Sequence, residues 1–92
     1  MSLRINRPPA ETVTRIEELI REALPGAEVS ANGMGGHFEI RVVSTVFEGK
    51  NTLAKQRLVL NAIKPLMMGD SAPVHAVDRI EALVPEAEPE SA

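Results

Sequence analysis

Hydrophobic side chains near the start of the chain recur every three or four residues, the spacing that lines one face of an α-helix. The apolar positions of this face are Val13, Ile16, Leu19, Ile20, Ala23 and Leu24. Pro8 and Pro9 suit the first turn, because a proline there loses no hydrogen bond within the helix. Pro25 and Gly26 follow the last apolar position and stop the helix. We therefore predict an amphipathic helix from Pro9 to Leu24.

A pattern with period two follows, and it predicts a β-strand from His37 to Val46. One face of this strand is apolar and the other is mostly polar. The apolar face carries Phe38, Ile40 and Val42, and the other carries His37, Glu39, Arg41 and Val43. A shorter strand is predicted from Ala27 to Ala31. The glycine-rich segment 32–36 between the two strands is typical of a hairpin turn.

A second helix is predicted after this hairpin. Asn51 or Thr52 can cap its start, and Pro65 should end or kink it. Its buried side is predicted to carry Leu53, Val59, Ile63, Leu66 and Met67. A third strand is predicted from Val74 to Leu83. Residues 1–8 and 86–92 show no apolar periodicity, and we expect a flexible N-terminal arm and a disordered acidic tail.

The predicted order is α–β–β–α–β, an α/β (α+β) domain over residues 9–85. Two helices pack on one face of a three-stranded mixed sheet in this arrangement. The connection between the second and third strands contains a whole helix, which is long enough for a parallel pairing. Handedness then favours a right-handed crossover.

Composition narrows the classes of function. The 92 residues indicate one domain. The net charge of −3 argues against a protein whose main task is wrapping nucleic acid, because such domains are usually strongly basic. Cysteine is absent, so the chain offers no disulfide and no thiolate, which is compatible with a reducing cytoplasm. Neither a membrane span nor a signal peptide is evident, and we expect a soluble cytoplasmic protein.

The sequence contains few motifs that are typical of catalytic or ligand-binding sites. No serine–histidine–aspartate arrangement, no carboxylate pair on one predicted face and no phosphate-binding motif is evident, which argues against an enzyme. Segment 33–36 (GMGG) matches the G-x-x-G pattern of KH domains, but there the loop joins two helices and clamps a nucleic-acid backbone. Here it joins two predicted strands, so we interpret it as a hairpin turn.

Five segments occur in a fixed order along the predicted elements: 24–27 (LPGA) at the end of the first helix, 37–44 (HFEIRVVS), 47–50 (FEGK), 53–66 in the second helix and 74–77 (VHAV). This ordered set resembles BolA-like proteins, with 37–44 and 47–50 as their central signature and 74–77 as their late histidine strand. The resemblance covers residues 13–85. It implies an α–β–β–α–β–α fold similar to the type II KH domain.

The same resemblance implies a function. Members of the family are described as partners of monothiol glutaredoxins, with which they share a 2Fe–2S cluster, and as regulators of transcription and cell shape. We therefore expect a glutaredoxin partner in iron–sulfur trafficking or in iron or redox sensing. The cluster is expected only with glutaredoxin and glutathione, not on the isolated chain. The alternatives are a nucleic-acid-binding stress or morphology regulator with weak DNA binding, and a plain interaction module such as a homodimer.

The chain departs from the family pattern in three places. Lys55–Gln56–Arg57 replaces the usual Arg-His-Arg, which is similar to the acid-stress branch of bacterial members. Residues 84–89 (VPEAEP) replace the Thr-Pro start and the tryptophan of the third helix, which we expect to be short or absent. Met34 lies where some relatives have a cysteine ligand, and a thioether is a much weaker ligand for iron.

Two histidines are the candidate iron ligands. The resemblance implies that His75 binds iron, whereas the residue pattern alone favours a half-buried histidine satisfied by a backbone carbonyl. His37 is the only other histidine; it is either the second ligand or an exposed residue at a strand start. Two imidazoles, one glutaredoxin thiolate and one glutathione thiolate would complete a mixed histidine–cysteine cluster.

Gly49, Lys50, Lys55 and Arg57 are the candidate partner or nucleic-acid surface. Lys55 and Arg57 are separated by about 200° on a helix, so the basic side chains cannot form one tight stripe. Most of these basic side chains are accounted for as the solvent-exposed surface of a helix. Lys50 and Lys55 are also placed to meet the carboxylates of glutathione or a phosphate backbone.

Overall fold

The computed structural model of the chain describes residues 9–69 and 72–85. Its elements are helix α1 (Pro9–Ala23), strands β1 (Glu28–Met34) and β2 (His37–Val43), helix α2 (Thr52–Ile63) and strand β3 (Ala76–Leu83), with short 3-10 helices at Thr45–Phe47 and Lys64–Leu66. The predicted order α–β–β–α–β is confirmed. The predicted arm 1–8 and tail 86–92, including the question of a third helix, lie outside the described residues.

The sheet has the strand order β1-β2-β3, so β2 lies in the middle. β1 pairs with β2 in antiparallel orientation, and β3 pairs with β2 in parallel orientation. The predicted mixed sheet and the predicted parallel pairing are therefore confirmed. Within the two described ranges, no helix is long and apolar enough to cross a membrane.

The hairpin between β1 and β2 is tighter than predicted. β1 continues to Met34, and only Gly35 and Gly36 form the turn. Their φ angles are +63° and +83°, and positive φ at both central residues lets a two-residue turn follow the twist of the paired strands. The predicted turn over 32–36 was too long, because Asn32 and Gly33 pair with β2. The interpretation of segment 33–36 as a hairpin is confirmed.

Two strand boundaries also differ from the prediction. β2 ends at Val43, because the Ser44 side chain accepts a hydrogen bond from the Val46 amide and caps a 3-10 helix. β3 begins at Ala76, not at Val74, whose amide donates to the carbonyl of Leu66 in place of a strand partner. The side chains of Ser44 and Val74 are both buried.

Both helices pack on the apolar face of the sheet. The buried core consists of Ile16, Ile20, Leu24, Ala27, Phe38, Ile40, Val42, Phe47, Val59, Ile63 and Val74. Leu66 and Met67 are half-buried against it, as predicted. Leu53 was predicted to be buried, but it is 55% exposed. It lies about 80° around α2 from Ile63 and about 120° from Val59, at the edge of the buried face.

The ends of α2 follow the predicted signals. The Asn51 side chain accepts a hydrogen bond from the Ala54 amide at 2.9 Å, so Asn51 is the cap. The helix ends at Ile63, and Pro65 lies in the 3-10 helix that follows.

Strand β3 contains a β-bulge. Phe38 pairs with Val77 and Glu39 pairs with Arg79, so Asp78 is an extra residue opposite β2. Val77 and Ile80 both pack against the core, although residues three apart point to opposite faces of a regular strand. The extra residue corrects this mismatch and keeps both apolar side chains inside.

Candidate functional site

The two histidines lie at the same end of the sheet, the end that carries the hairpin turn between β1 and β2. His37 is the first residue of β2, and its partner in β3 is Ala76, the residue after His75. The carbonyl of Gly36 accepts hydrogen bonds from the amides of His75 and Ala76, at 2.8 Å and 3.0 Å. The hairpin turn and the start of β3 therefore hold both imidazoles at the same end of the domain.

His75 is an exposed side chain that packs on glycine. A Cβ atom at Gly36 would lie 2.6 Å from Nδ1 and 2.8 Å from Cγ of the His75 ring. Only glycine at this position therefore allows the ring to approach so closely. Among the residues that the structure describes, no group hydrogen-bonds to the ring nitrogens of His75. The alternative of a half-buried histidine satisfied by a carbonyl does not fit this arrangement.

His37 is also exposed, and it has a carboxylate partner. Its Nδ1 lies 3.3 Å from Oδ1 of Asp78. An ionised carboxylate only accepts hydrogen bonds, so this contact is a hydrogen bond in the Nδ1–H tautomer of a neutral His37, which has its unshared electron pair on Nε2. This is the arrangement in which metal-binding histidines are commonly oriented. Asp78 was not predicted as a site residue, although the three-residue step from Val77 to Ile80 signals the bulge.

Met34 lies beside His37 at the end of the hairpin. The two residues are cross-strand partners, and Met34 is 74% exposed. Its sulfur is a weaker iron ligand than either imidazole nitrogen or a thiolate. Within residues 9–69 and 72–85, no group of three or more histidine, aspartate or glutamate side chains could hold a metal ion. The two histidines are thus candidate ligands for a metal that has other ligands as well.

The candidate basic surface is not at the histidine end. Lys55 is half-buried and lines a groove with Arg41, Val43 and Leu83, at the end of the sheet where β2 and β3 finish. The length of β2, about 20 Å at about 3.3 Å per residue, separates this groove from His37. The structure therefore does not bring Lys55 together with the candidate ligands.

Gly49, Lys50 and Arg57 are exposed, and Gly49 has a φ of +76°. Four basic side chains make no ion pair within the described part of the chain: Lys50, Lys55, Arg57 and Lys64. The exposed face of the sheet is different, because its two arginines share a carboxylate partner. Glu81 binds Arg41 at 3.4 Å and Arg79 at 2.8 Å. Among residues 9–69 and 72–85, the basic side chains without an ion pair therefore lie on and beside α2, and not on the open sheet face.

Comparison with known proteins identifies the family. The family model described as BolA-like protein matches residues 17–86. A relative from Acinetobacter guillouiae, named "Uncharacterized protein in rpoN-murA intergenic region", is 35% identical over 63 residues, which cover 68% of this chain and 74% of the relative.

Solved structures agree. A bolA protein homologue from Coxiella burnetii is 36% identical, with a TM-score of 0.66 over 78% of this chain and 88% of that one. The BolA domain of SufE1 from Arabidopsis thaliana is 25% identical, with a TM-score of 0.67 over 80% of this chain and 92% of that one. The sequence match and the shared fold have the same explanation: this chain belongs to the BolA-like family.

Proposed function

We propose that this chain is a partner protein that binds a monothiol glutaredoxin and shares a 2Fe–2S cluster with it, in iron–sulfur trafficking or in iron or redox sensing. BolA-like proteins are generally regulatory or partner proteins, not enzymes. The observation that carries the proposal is the state of His75, which is exposed and has no partner for either ring nitrogen among the described residues. A BolA domain also occurs within Arabidopsis SufE1, which supports a role in association with other protein units.

Two histidines of this chain would supply half of the ligands of such a cluster. His75 and His37 supply two imidazoles at one end of the sheet, and mixed histidine–cysteine ligation of 2Fe–2S clusters is known chemistry. The chain has no cysteine, so the thiolates would come from glutaredoxin and from glutathione. The bound cluster would supply one-electron redox chemistry, at a potential raised by the neutral imidazole ligands.

Each residue at this end of the domain would have a definite task. Gly36 supports the His75 ring and ties the start of β3 to the hairpin. His75 and His37 must be neutral in order to coordinate iron, because a protonated imidazole has no free electron pair. Acidification should therefore weaken the complex.

Mixing the chain with a cluster-loaded monothiol glutaredoxin and glutathione tests the proposal. We expect a heterodimer on gel filtration, with a visible absorption and circular dichroism spectrum that differs from that of the glutaredoxin homodimer. The spectrum should change because imidazole replaces thiolate on iron. The isolated chain with iron, sulfide and glutathione is the control, and it should bind no stable cluster. Separate elution together with an unchanged homodimer spectrum would contradict the proposal.

A second candidate function is weak binding of a nucleic-acid backbone. It is favoured by four basic side chains on and beside α2 that form no ion pair with any residue the structure describes: Lys50, Lys55, Arg57 and Lys64. Contacts of this kind are to phosphates, so binding should be independent of sequence and should decrease steeply with salt. We expect titration of a labelled DNA duplex to show binding at about 50 mM salt and almost none at about 200 mM. Tight, sequence-selective binding at physiological salt would instead favour a regulator.

A further inference from the structure

The bulge in β3 decides which residue Asp78 faces. In a regular parallel register Asp78 would pair with Glu39, and two like charges would lie side by side. The extra residue instead pairs Glu39 with Arg79. Asp78 therefore has no pairing partner in β2. Its carboxylate contacts His37 instead, with 3.3 Å between Oδ1 of Asp78 and Nδ1 of His37. Redirection of one side chain is a known consequence of β-bulges.

The surroundings of His37 leave its second nitrogen accessible. His37 and Asp78 line a shallow groove with Asn32, Met34 and Glu39. The side chains of His37 and Asp78 are 58% and 55% exposed. Water competes with a hydrogen bond at that exposure, so the pair contributes little to stability.

We propose that Asp78 is a positioning residue for His37. Its carboxylate holds the neutral imidazole in the Nδ1–H form and directs Nε2 outward as the free ligand atom. The use of that ligand atom rests on the proposed function, because the cluster and the glutaredoxin belong to it. The protonation site itself is a property of the isolated chain.

The isolated chain tests the proposal without any cluster. Long-range ¹H–¹⁵N correlation spectra, recorded above the pH at which the histidines are protonated, report which ring nitrogen carries the hydrogen. We expect His37 of the wild-type chain to be mainly the Nδ1–H tautomer. Asp78→Ala should lower that population at least about twofold, because the acceptor is removed. Glu81→Ala, which removes the same charge from the same strand, should leave the His37 tautomer unchanged.

A dominant Nε2–H tautomer in the wild-type chain would overturn the proposal, and so would an unchanged tautomer in Asp78→Ala. The wild-type measurement decides the matter even if Asp78→Ala does not fold. In the glutaredoxin mixture, Asp78→Ala should weaken formation of the heterodimer by about tenfold, the lower end of the range for residues that orient metal ligands. If the wild-type chain shows the Nδ1–H tautomer but forms no heterodimer, the proposed function fails and the positioning role stands.

Discussion

Replacing His75 with alanine should abolish the spectral change that the wild-type chain produces with a cluster-loaded monothiol glutaredoxin and glutathione. The exposed ring of His75 rests on Gly36 and has both nitrogens free within the described structure. Its removal leaves one iron coordination site without a protein ligand from this chain. The measurement is the visible spectrum of the mixture, together with the elution volume of the complex.

Two control measurements show whether the lost spectral change is caused by the loss of an iron ligand. His75→Ala should unfold at nearly the wild-type temperature, because substitutions of exposed residues usually change stability by about 0.5 kcal/mol or less. His37→Ala should weaken the spectral change only if His37 is the second ligand. If His75→Ala leaves both the spectrum and the stability of the complex untouched, the ligand assignment is wrong. Membership of the BolA-like family would then describe the fold alone.

Replacing Phe47 with alanine should have the largest effect on stability. Phe47 is fully buried, although it lies in a 3-10 helix of only three residues between β2 and α2. Truncation of this large side chain to alanine leaves a cavity, into which the surrounding core side chains relax only partly. The expected loss is about 3–5 kcal/mol, out of a total of about 5–15 kcal/mol for a typical domain.

Thermal unfolding followed by circular dichroism checks this prediction. The loss corresponds to a decrease in Tm of roughly 12 to 40 °C for a domain of this size. Val46→Ala is the matched control, because Val46 is the preceding residue in the same 3-10 helix and is 39% exposed. That variant should unfold within a few degrees of the wild-type chain. Equal shifts for the two variants would show that Phe47 is not a central part of the core.

The order of the elements was determined by local signals that can be read from the sequence. The three- and four-residue spacing of α1, the alternation of β2 and the cap at Asn51 all act within a few residues of one another. The parallel pairing of β3 with β2 also followed, because a helical crossover of that length permits it. The ordered set of segments 24–27, 37–44, 47–50, 53–66 and 74–77 indicated the BolA-like family, which the family model confirms.

Which side chains meet was decided only by the tertiary structure. The predicted burial of Leu53 was wrong, because this residue lies at the edge of the buried face of α2. Lys55 and His37 are at opposite ends of the sheet, although the basic residues and the histidines looked equally available in the sequence. Strand pairing joins residues far apart in the chain, so no local pattern states which pairs form.

The β-bulge in β3 shows most clearly the difference between what the sequence determined and what the tertiary structure decided. Val77 and Ile80 both contact the core, although they lie three residues apart in the sequence and would point to opposite faces of a regular strand. Only the pairing with β2 assigns the extra residue to Asp78 and brings its carboxylate to His37. The sequence by itself thus predicted a third strand but not its irregularity. The tertiary structure decided where the irregularity lies and which histidine it orients, because a contact across the sheet depends on register.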